Sequence, residues 1–148
     1  MNIETGTKDR VRKNTSWGRN IKIDNLTREN IRKYSKGSDR EIADRIKTLK
    51  QKWDMERTLE FNMSTLAITG LALSVFVDKR WALLSGVVLG FFAQHAIQGW
   101  CPPLPLFRAM KVRTRTEIEE EKYALKALRG DFKNVNSPEE ALLAAKRV

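Results

Sequence analysis

The stretch WALLSGVVLGFFAQHAIQGWCPPLPLF, residues 81–107, decides the fold. It holds no Asp, Glu, Lys or Arg over 27 residues, and Arg80 and Arg108 bound it. Residues 81–100 form a run of 20 residues, which as a helix is about 30 Å long, the thickness of the hydrocarbon core of a bilayer. The prolines that follow end the helix, because proline lacks an N–H and clashes with the preceding turn. The stretch therefore predicts a membrane-spanning helix.

A second and weaker apolar stretch precedes it. Residues 61–77 are 17 residues without a charge, which is the short limit for a span. The polar turn over residues 78–80 is so short that the two helices must be antiparallel neighbours. The sequence predicts an all-α fold built on a transmembrane helical hairpin over residues 61–107. In the alternative, residues 61–77 are a buried helix in a soluble helical core.

The N-terminal flank is predicted to have two parts. Residues 1–37 are expected to be a flexible basic segment, because no apolar helical stripe persists there. Residues 38–60 are expected to form an amphipathic juxtamembrane helix, since Ser38 at the N-cap and Glu41 three residues later fit a capping box.

The predicted helix over 38–60 has an apolar face with basic residues beside it. The face comprises Ile42, Ile46, Leu49 and Trp53, at steps of 4, 3 and 4, and the neighbouring lysines are Lys47, Lys50 and Lys52. This arrangement is typical of a helix lying on anionic lipid. A solvated extension of the first span and a coiled-coil contact are the alternatives.

The C-terminal flank, residues 108–148, is predicted to be a cytoplasmic helical tail. Thr116 can cap one helix that stops before Gly130, and Ser137 with Pro138 can start a last short helix. Orientation follows from the Lys and Arg counts near the span ends. Residues 41–60 and 101–120 contribute five and four, against two in the turn. This bias predicts that both termini are cytoplasmic.

Small and polar residues in the two spans predict helix contacts. Gly86 and Gly90 form a GxxxG pair, and Gly70 and Ser74 form a second small pair. Gln94, His95 and Gln98 lie on or beside one polar face that also includes Cys101, and such groups should face a helix rather than lipid. Their expected partners are Asn62, Ser64 and Thr65. Helix packing and a proton or thiol site are both open as the role of this face.

The composition excludes several kinds of chemistry. One cysteine and one histidine rule out an intramolecular disulfide, a cysteine-cluster zinc site and an HExxH site. The sequence indicates no cofactor and no metal. Cys101 is the one candidate for thiol chemistry, with an inert interfacial residue as the alternative. The net charge of +10 suits phosphate contacts, but no nucleic-acid-binding motif accompanies it.

The segment Gln98-Gly-Trp-Cys-Pro-Pro-Leu-Pro-Leu-Phe107 resembles the Gly-Trp-Cys-Pro signature of the YgaP-like inner-membrane domain family. Val112-Arg113-Thr114, Glu117-Ile118 and Ala124-Leu-Lys-Ala-Leu-Arg-Gly-Asp-Phe132 resemble the tail of a stand-alone subset. The likeness covers roughly residues 53–132. It implies a homo-oligomeric bacterial inner-membrane hairpin of unknown process, and it does not extend to the rhodanese domain that some members carry.

Three functions are open at this point. The first is a non-enzymatic inner-membrane protein, either a scaffold or an accessory subunit of a larger membrane complex. The second is a thiol-dependent sulfur-handling membrane protein that uses Cys101. The third, a soluble basic helical protein that binds nucleic acid, has the least support.

Overall fold

The computed structural model describes residues 9–147, and within that range the chain forms α-helices and one 3-10 turn but no strand. In chain order the elements are α1 Arg10–Lys13, α2 Trp17–Tyr34, α3 Asp39–Gln51, α4 Met55–Phe76, the 3-10 turn Lys79–Trp81, α5 Ala82–Gln98, α6 Leu104–Ala109, α7 Arg115–Arg129 and α8 Pro138–Lys146. The prediction of an all-α protein is confirmed.

Side-chain caps start four of the α-helices, α1, α3, α4 and α8. The capping box at Ser38 is present, because the Ser38 N–H donates to Glu41 Oε2 at 2.7 Å and Ser38 Oγ accepts from the Glu41 N–H. Ser137 caps α8, with Pro138 in its first turn, as predicted. Gly130, with φ 85°, follows the last residue of α7. Helix α7 begins at Arg115, before the predicted cap Thr116.

A helix boundary that the sequence did not indicate falls within residues 38–60. Helix α3 ends at Gln51, and Asp54 starts α4, because its Oδ1 accepts from the Arg57 N–H at 2.9 Å. The amphipathic helix and the first apolar stretch are therefore separate helices, and α4 begins six residues before the charge-free run.

The described chain divides into two compact units. Unit 1 consists of residues 9–20 and 53–114, which hold α1, the first turn of α2, α4, α5 and α6. Unit 2 consists of residues 21–52 and 115–147, which hold the rest of α2 together with α3, α7 and α8.

In unit 1, helices α4 and α5 pack side by side. Ser85 Oγ on α5 donates to the carbonyl of Ala67 on α4 at 2.7 Å. Gly70 lets the backbones approach, because a Cβ there would lie 2.7 Å from Ser85 Oγ and 3.2 Å from the Trp81 carbonyl oxygen. The buried core of the unit continues past the end of the pair, and it comprises Val11, Met55, Leu59, Met63, Val88, Cys101 and Leu104.

In unit 2, the apolar face of α3 packs against α7. Ile42, Ile46 and Leu49 are at most 4% exposed, and they form one core with Ile118 and Leu125. This corrects the prediction that these three residues contact lipid, since α7 already covers them. The other predicted lipid-surface residues, Trp53, Lys47, Lys50 and Lys52, are exposed.

Helix α2 lies where the sequence indicated no persistent helix. Its buried or half-buried positions in unit 2 include Ile23, Thr27, Asn30 and Tyr34, at steps of 4, 3 and 4. Two of these are polar, so the face shows no apolar stripe. The face combines apolar and polar contacts. Tyr34 packs against the core of unit 2 and Ile23 is buried, while Asn30 Nδ2 donates to Glu121 Oε2 at 3.4 Å and the Arg45 guanidinium lies 5.3 Å from the Tyr34 ring centre.

Buried charges tie the helices of unit 2 together. Glu121 is fully buried and pairs with Arg45 at 2.7 Å. The ammonium of Lys126, also fully buried, donates to the carbonyls of Ala144 at 3.0 Å and Ala145 at 2.8 Å, and to that of Arg147. A cation at the C-terminal end of α8 satisfies carbonyls that have no partner within that helix.

Candidate functional site

The sequence Gly99-Trp100-Cys101-Pro102 forms the junction between α5 and α6. Helix α5 ends when Gly99 takes a left-handed conformation, φ 74°, and its N–H donates to the His95 carbonyl at 2.7 Å. A residue without a Cβ adopts this conformation at little cost. The Cys101 carbonyl then accepts from the Leu104 N–H at 3.0 Å, which starts α6.

Helix α1 docks on the C-terminal end of α5. Arg10 Nη1 donates to the carbonyls of Ala96 at 2.5 Å and Ile97 at 3.3 Å, and Asn14 Nδ2 donates to that of Gln98 at 2.8 Å. The last carbonyls of a helix have no partner within it, and they carry the negative end of its dipole. A guanidinium and an amide at this position therefore stabilise the end of α5.

Two hydrogen bonds of Asp9 fix α1 in place. Its Oδ1 accepts from the Arg12 N–H at 3.0 Å and caps α1. Its Oδ2 accepts from Thr114 Oγ1 at 2.6 Å, which joins α1 to the end of the segment after α6. Within the predicted flexible segment 1–37, whose residues 1–8 lie outside the described part of the chain, Asp9 and α1 are thus an integral part of the junction in unit 1.

Cys101 lies in the interior of this junction. Its side chain is 0% exposed and belongs to the core that includes Val11, Met55 and Leu104. A thiol must be accessible to attack a substrate or to be attacked. In this conformation Cys101 is a small apolar core residue, and the sulfur-handling alternative lacks an accessible nucleophile.

Two of the arginines that were counted for the orientation of the spans, Arg108 and Arg113, are buried here. Arg108 is 1% exposed, and it donates to the Val112 carbonyl at 3.1 Å and to Asn20 Oδ1 at 2.7 Å. Arg113 is fully buried, and its carbonyl accepts from the Met55 N–H at 2.9 Å. Arg108 thus joins α6 to Val112 and to the first turn of α2, and the Arg113 backbone joins the segment after α6 to the start of α4. No local pattern distinguishes them from exposed juxtamembrane arginines.

The predicted helix-packing residues are distributed over several surfaces. Gly70 lies in the α4–α5 contact, whereas a Cβ at Gly86 or at Gly90 would meet nothing within 4 Å. The GxxxG pair therefore faces away from α4 within the chain. Ser74 donates back to the Leu71 carbonyl at 2.7 Å in its own helix.

The polar face of α5 is not paired with α4 in the way the sequence predicted. Gln94 Nε2 donates to Gln98 Oε1 at 3.3 Å, and His95 is 8% exposed. Asn62 and Thr65, two of the expected partners, donate to carbonyls four residues earlier in α4. Such bonds compete with contacts to another helix. No partner for His95 Nδ1 is found among the described residues.

An apolar surface surrounds the α4–α5 pair. Two helical stretches are each long and apolar enough to cross a membrane. They are Asp39–Phe76, whose apolar part is α4, and Lys79–Gln98. Only 17% of the apolar segment in each is buried. The large side chains that are 47% to 85% exposed are Phe61, Leu66, Ile68, Leu71, Val75, Phe76, Val77, Leu83, Val87, Leu89 and Ile97.

Within residues 9–147, no group of three or more His, Cys, Asp or Glu side chains could hold a metal ion. The junction around Gly99 and Cys101 combines helix-end hydrogen bonds, an apolar core and the buried arginines Arg108 and Arg113. No family model matches the chain, and no curated protein or solved structure shows significant similarity to it.

Proposed function

We propose that this chain is a non-enzymatic bacterial inner-membrane protein whose α4–α5 pair is a transmembrane hairpin. Its role is that of a scaffold or an accessory subunit in a larger membrane complex. The resemblance of the segment around Gly99 to Pro102 to the YgaP-like inner-membrane domain family supports this proposal. Both termini are cytoplasmic in this proposal, because nine basic residues flank the outer ends of the spans and two lie in the turn.

The observation that carries the proposal is the exposed apolar surface of α4 and α5. Phe76 is 85% exposed, Leu83 73% and Ile97 74%, and these side chains lie on all parts of the pair. Soluble monomers rarely expose contiguous apolar patches larger than a few hundred Å². A bilayer covers such a surface without any further protein.

The proposal also places a second copy of the chain against the outward face of α5. Gly86 and Gly90 have open space beside them, and Gln94 lies one further turn along the same face. Small residues allow close helix approach, and glutamine amides can donate to and accept from each other across two copies. Anionic lipid headgroups are the remaining proposed partner, attracted by the basic flanks.

Alkaline carbonate extraction of bacterial membranes tests the proposal. The chain is expected to remain in the membrane pellet, whereas its complete release would favour the soluble basic alternative. A variant with Leu71→Asp and Leu89→Asp, which places charges in both spans, is the matched control and should be released. Reporter fusions at Val148 test the topology, and an active alkaline phosphatase there would contradict it.

A further inference from the structure

We propose that the outer face of α6, together with Trp17, lies in the headgroup layer of an anionic bilayer and anchors unit 1 at the membrane surface. The proposal rests on the proposed function, since it requires α4 and α5 to span the membrane. The apolar contacts come from Trp17, Leu106 and Met110, and the cations from Lys13 and Lys111. These five residues are called the surface anchor below.

Helix α6 has a buried face and an outer face, and the outer face is apolar. Leu104 and Arg108 are 0% and 1% exposed, whereas Leu106 and Met110 are 62% and 66% exposed. Residues four apart lie on one side of a helix. A helix that borders water normally turns polar residues outward, so the outer face of α6 is built for an apolar environment.

The position of α6 places this face next to the proposed spans. The Met55 N–H, at the start of α4, donates to the Arg113 carbonyl just after α6. Arg10 binds the carbonyls at the end of α5, immediately before α6. Both ends of α6 are therefore held where the α4–α5 pair begins and ends. Ile97, near the end of α5, and Leu106, in α6, are both exposed apolar residues.

Trp17 lies three residues before Asn20, in the first turn of α2, and Asn20 is bonded to α6. Arg108 of α6 donates to Asn20 Oδ1 at 2.7 Å. Residues three apart are neighbours on a helix surface, so Trp17 lies on the side of α2 that carries Asn20. Its indole is 80% exposed, more than any other tryptophan in the chain. Tryptophan is enriched at membrane–water interfaces, where its ring is buried and its N–H stays hydrated.

Basic residues flank the apolar part of the surface anchor. Lys111 follows Met110 directly, is exposed and has a left-handed backbone with φ 62°, which is uncommon for a residue with a Cβ. Lys13, four residues before Trp17, is exposed at the end of α1. Apolar side chains with adjacent lysines are the combination that binds an anionic membrane surface.

Fluorescence quenching in vesicles tests the surface anchor. The full chain is reconstituted into vesicles of phosphatidylcholine and phosphatidylglycerol, with or without bromine on the upper acyl chain. The emission of Trp17 is obtained as the difference between the native chain and Trp17→Phe. Brominated lipid is expected to quench this emission, and acrylamide in the water is expected to quench it little. Vesicles without phosphatidylglycerol should show a weaker effect of bromine.

A pair of variants separates the surface anchor from its alternatives. The double change Leu106→Ser and Met110→Ser should lose most of the bromine quenching of Trp17, while the chain stays resistant to carbonate. Leu142→Ser and Leu143→Ser, at equally exposed positions of α8, should leave the quenching unchanged.

Three results would overturn the inference. Strong acrylamide quenching without bromine quenching would place Trp17 in water. Weak quenching by both agents would mean that protein, not lipid, covers Trp17. Equal bromine quenching without phosphatidylglycerol would remove the requirement for anionic lipid. Release of the chain by carbonate would instead refute the proposed function itself, so the two failures are distinguishable.

Discussion

Gly99 and Arg10 approach so closely that a Cβ on Gly99 would overlap the Cβ of Arg10 and lie 2.8 Å from its carbonyl carbon. Their sequence positions are 89 residues apart, and Gly99 also has a left-handed backbone. Two requirements therefore exclude a side chain at this position: the conformation that ends α5, and the space that the α1 backbone occupies. The contact explains why a glycine precedes the Trp-Cys-Pro segment.

Gly99→Ala is expected to undock α1 from α5. The left-handed conformation costs about 1–2 kcal/mol for a residue with a Cβ, and the clash with the α1 backbone adds to it. Trypsin should then cleave faster after Arg10, Arg12 and Lys13, as peptide mass spectrometry would show. Gly86→Ala is the control, because open space surrounds Gly86. Equal protection of α1 in both variants would contradict the contact.

Gly70→Leu is expected to separate α4 from α5. A side chain there meets the backbone N of Ser85 at 3.1 Å and the carbonyl oxygen of Trp81 at 3.2 Å, and neither can rotate away. Overpacking of this kind costs about 1–3 kcal/mol. The measurement is tryptic cleavage at Lys79 and Arg80 in detergent-solubilised chain, which should accelerate.

The matched control for Gly70 is Gly86→Leu with Gly90→Leu. These positions face away from α4, so cleavage in the turn should be unchanged, and any effect should appear in the oligomeric state on a native gel. Accelerated cleavage in this control, or none in Gly70→Leu, would show that the helix contact is misassigned.

Cys101 is expected to resist thiol reagents in the folded chain. Its side chain is fully buried among apolar residues, so maleimide should label it slowly in mild detergent and quickly in SDS. A cysteine introduced by Ser74→Cys in a Cys101→Ala background, at a half-buried position, gives a reference rate. Rapid labelling of native Cys101, or a stable persulfide on it, would revive the sulfur-handling alternative.

Lys126→Met is expected to loosen α8. The variant keeps the aliphatic stem but removes the ammonium that binds three carbonyls at the end of α8. A hydrogen bond to a charged group has a net contribution to stability of about 1.5–3 kcal/mol. Amide hydrogen exchange should therefore speed up in α8. Lys47→Met, on the exposed side of α3, should not change it, and an unchanged α8 in both would argue against the role of Lys126.

The Arg129–Asp131 pair is expected to make unit 2 sensitive to acid. Hydrogen bonds from Arg129 Nε and Nη2, at 2.8 and 2.7 Å, hold the pKa of Asp131 below its ordinary value. Because the folded pKa is the lower one, the stabilisation is present above the unfolded value, about 3.9, and is lost as pH falls through the folded pKa.

Asp131→Asn tests this linkage by thermal unfolding in detergent, followed by circular dichroism. The variant should melt below the native chain at pH 7, and the gap should shrink below about pH 4. Asp44→Asn, at an exposed position of α3, serves as the control. A gap that is constant with pH would show that Asp131 acts through packing and not through its charge.

Local signals were sufficient to predict several helix ends. Each of these signals involves residues within four positions of one another, so a short stretch of sequence contains every group that takes part. The examples are the Ser38–Glu41 box, the stop at Gly130 and the Ser137 cap. The division between two polar flanks and a charge-free centre is likewise a property of composition. It predicted where the exposed apolar helices lie.

The contacts between distant segments could not be predicted in the same way. The stripe on α3 showed correctly that one face is apolar, but its cover, Ile118 and Leu125, lies some 70 residues further on. Periodicity indicates that one face of a helix is buried, but it does not identify the surface that covers this face. Helix α2 was not predicted because its inner face carries the polar residues Thr27 and Asn30, so no continuous apolar stripe marks it.

The junction at Gly99 was predictable in part. A glycine directly after a long apolar helix is a typical C-terminal stop, and this signal could have identified the end of α5. The docking of Arg10 has no counterpart in local sequence. The burial of Arg108 and Arg113 also lacked a signal, since a count of basic residues near a span treats buried and exposed arginines alike.

The docking of α1 on α5 has a consequence for biosynthesis. Arg10 leaves the ribosome 86 residues before its partner Ala96, which at about 5–20 residues per second is a delay of roughly 4–17 s. During that interval the two apolar helices are made while α1 has no binding site. The contact can therefore form only after α5 is complete, so the docking of α1 is a late step that fixes an α4–α5 pair already synthesised.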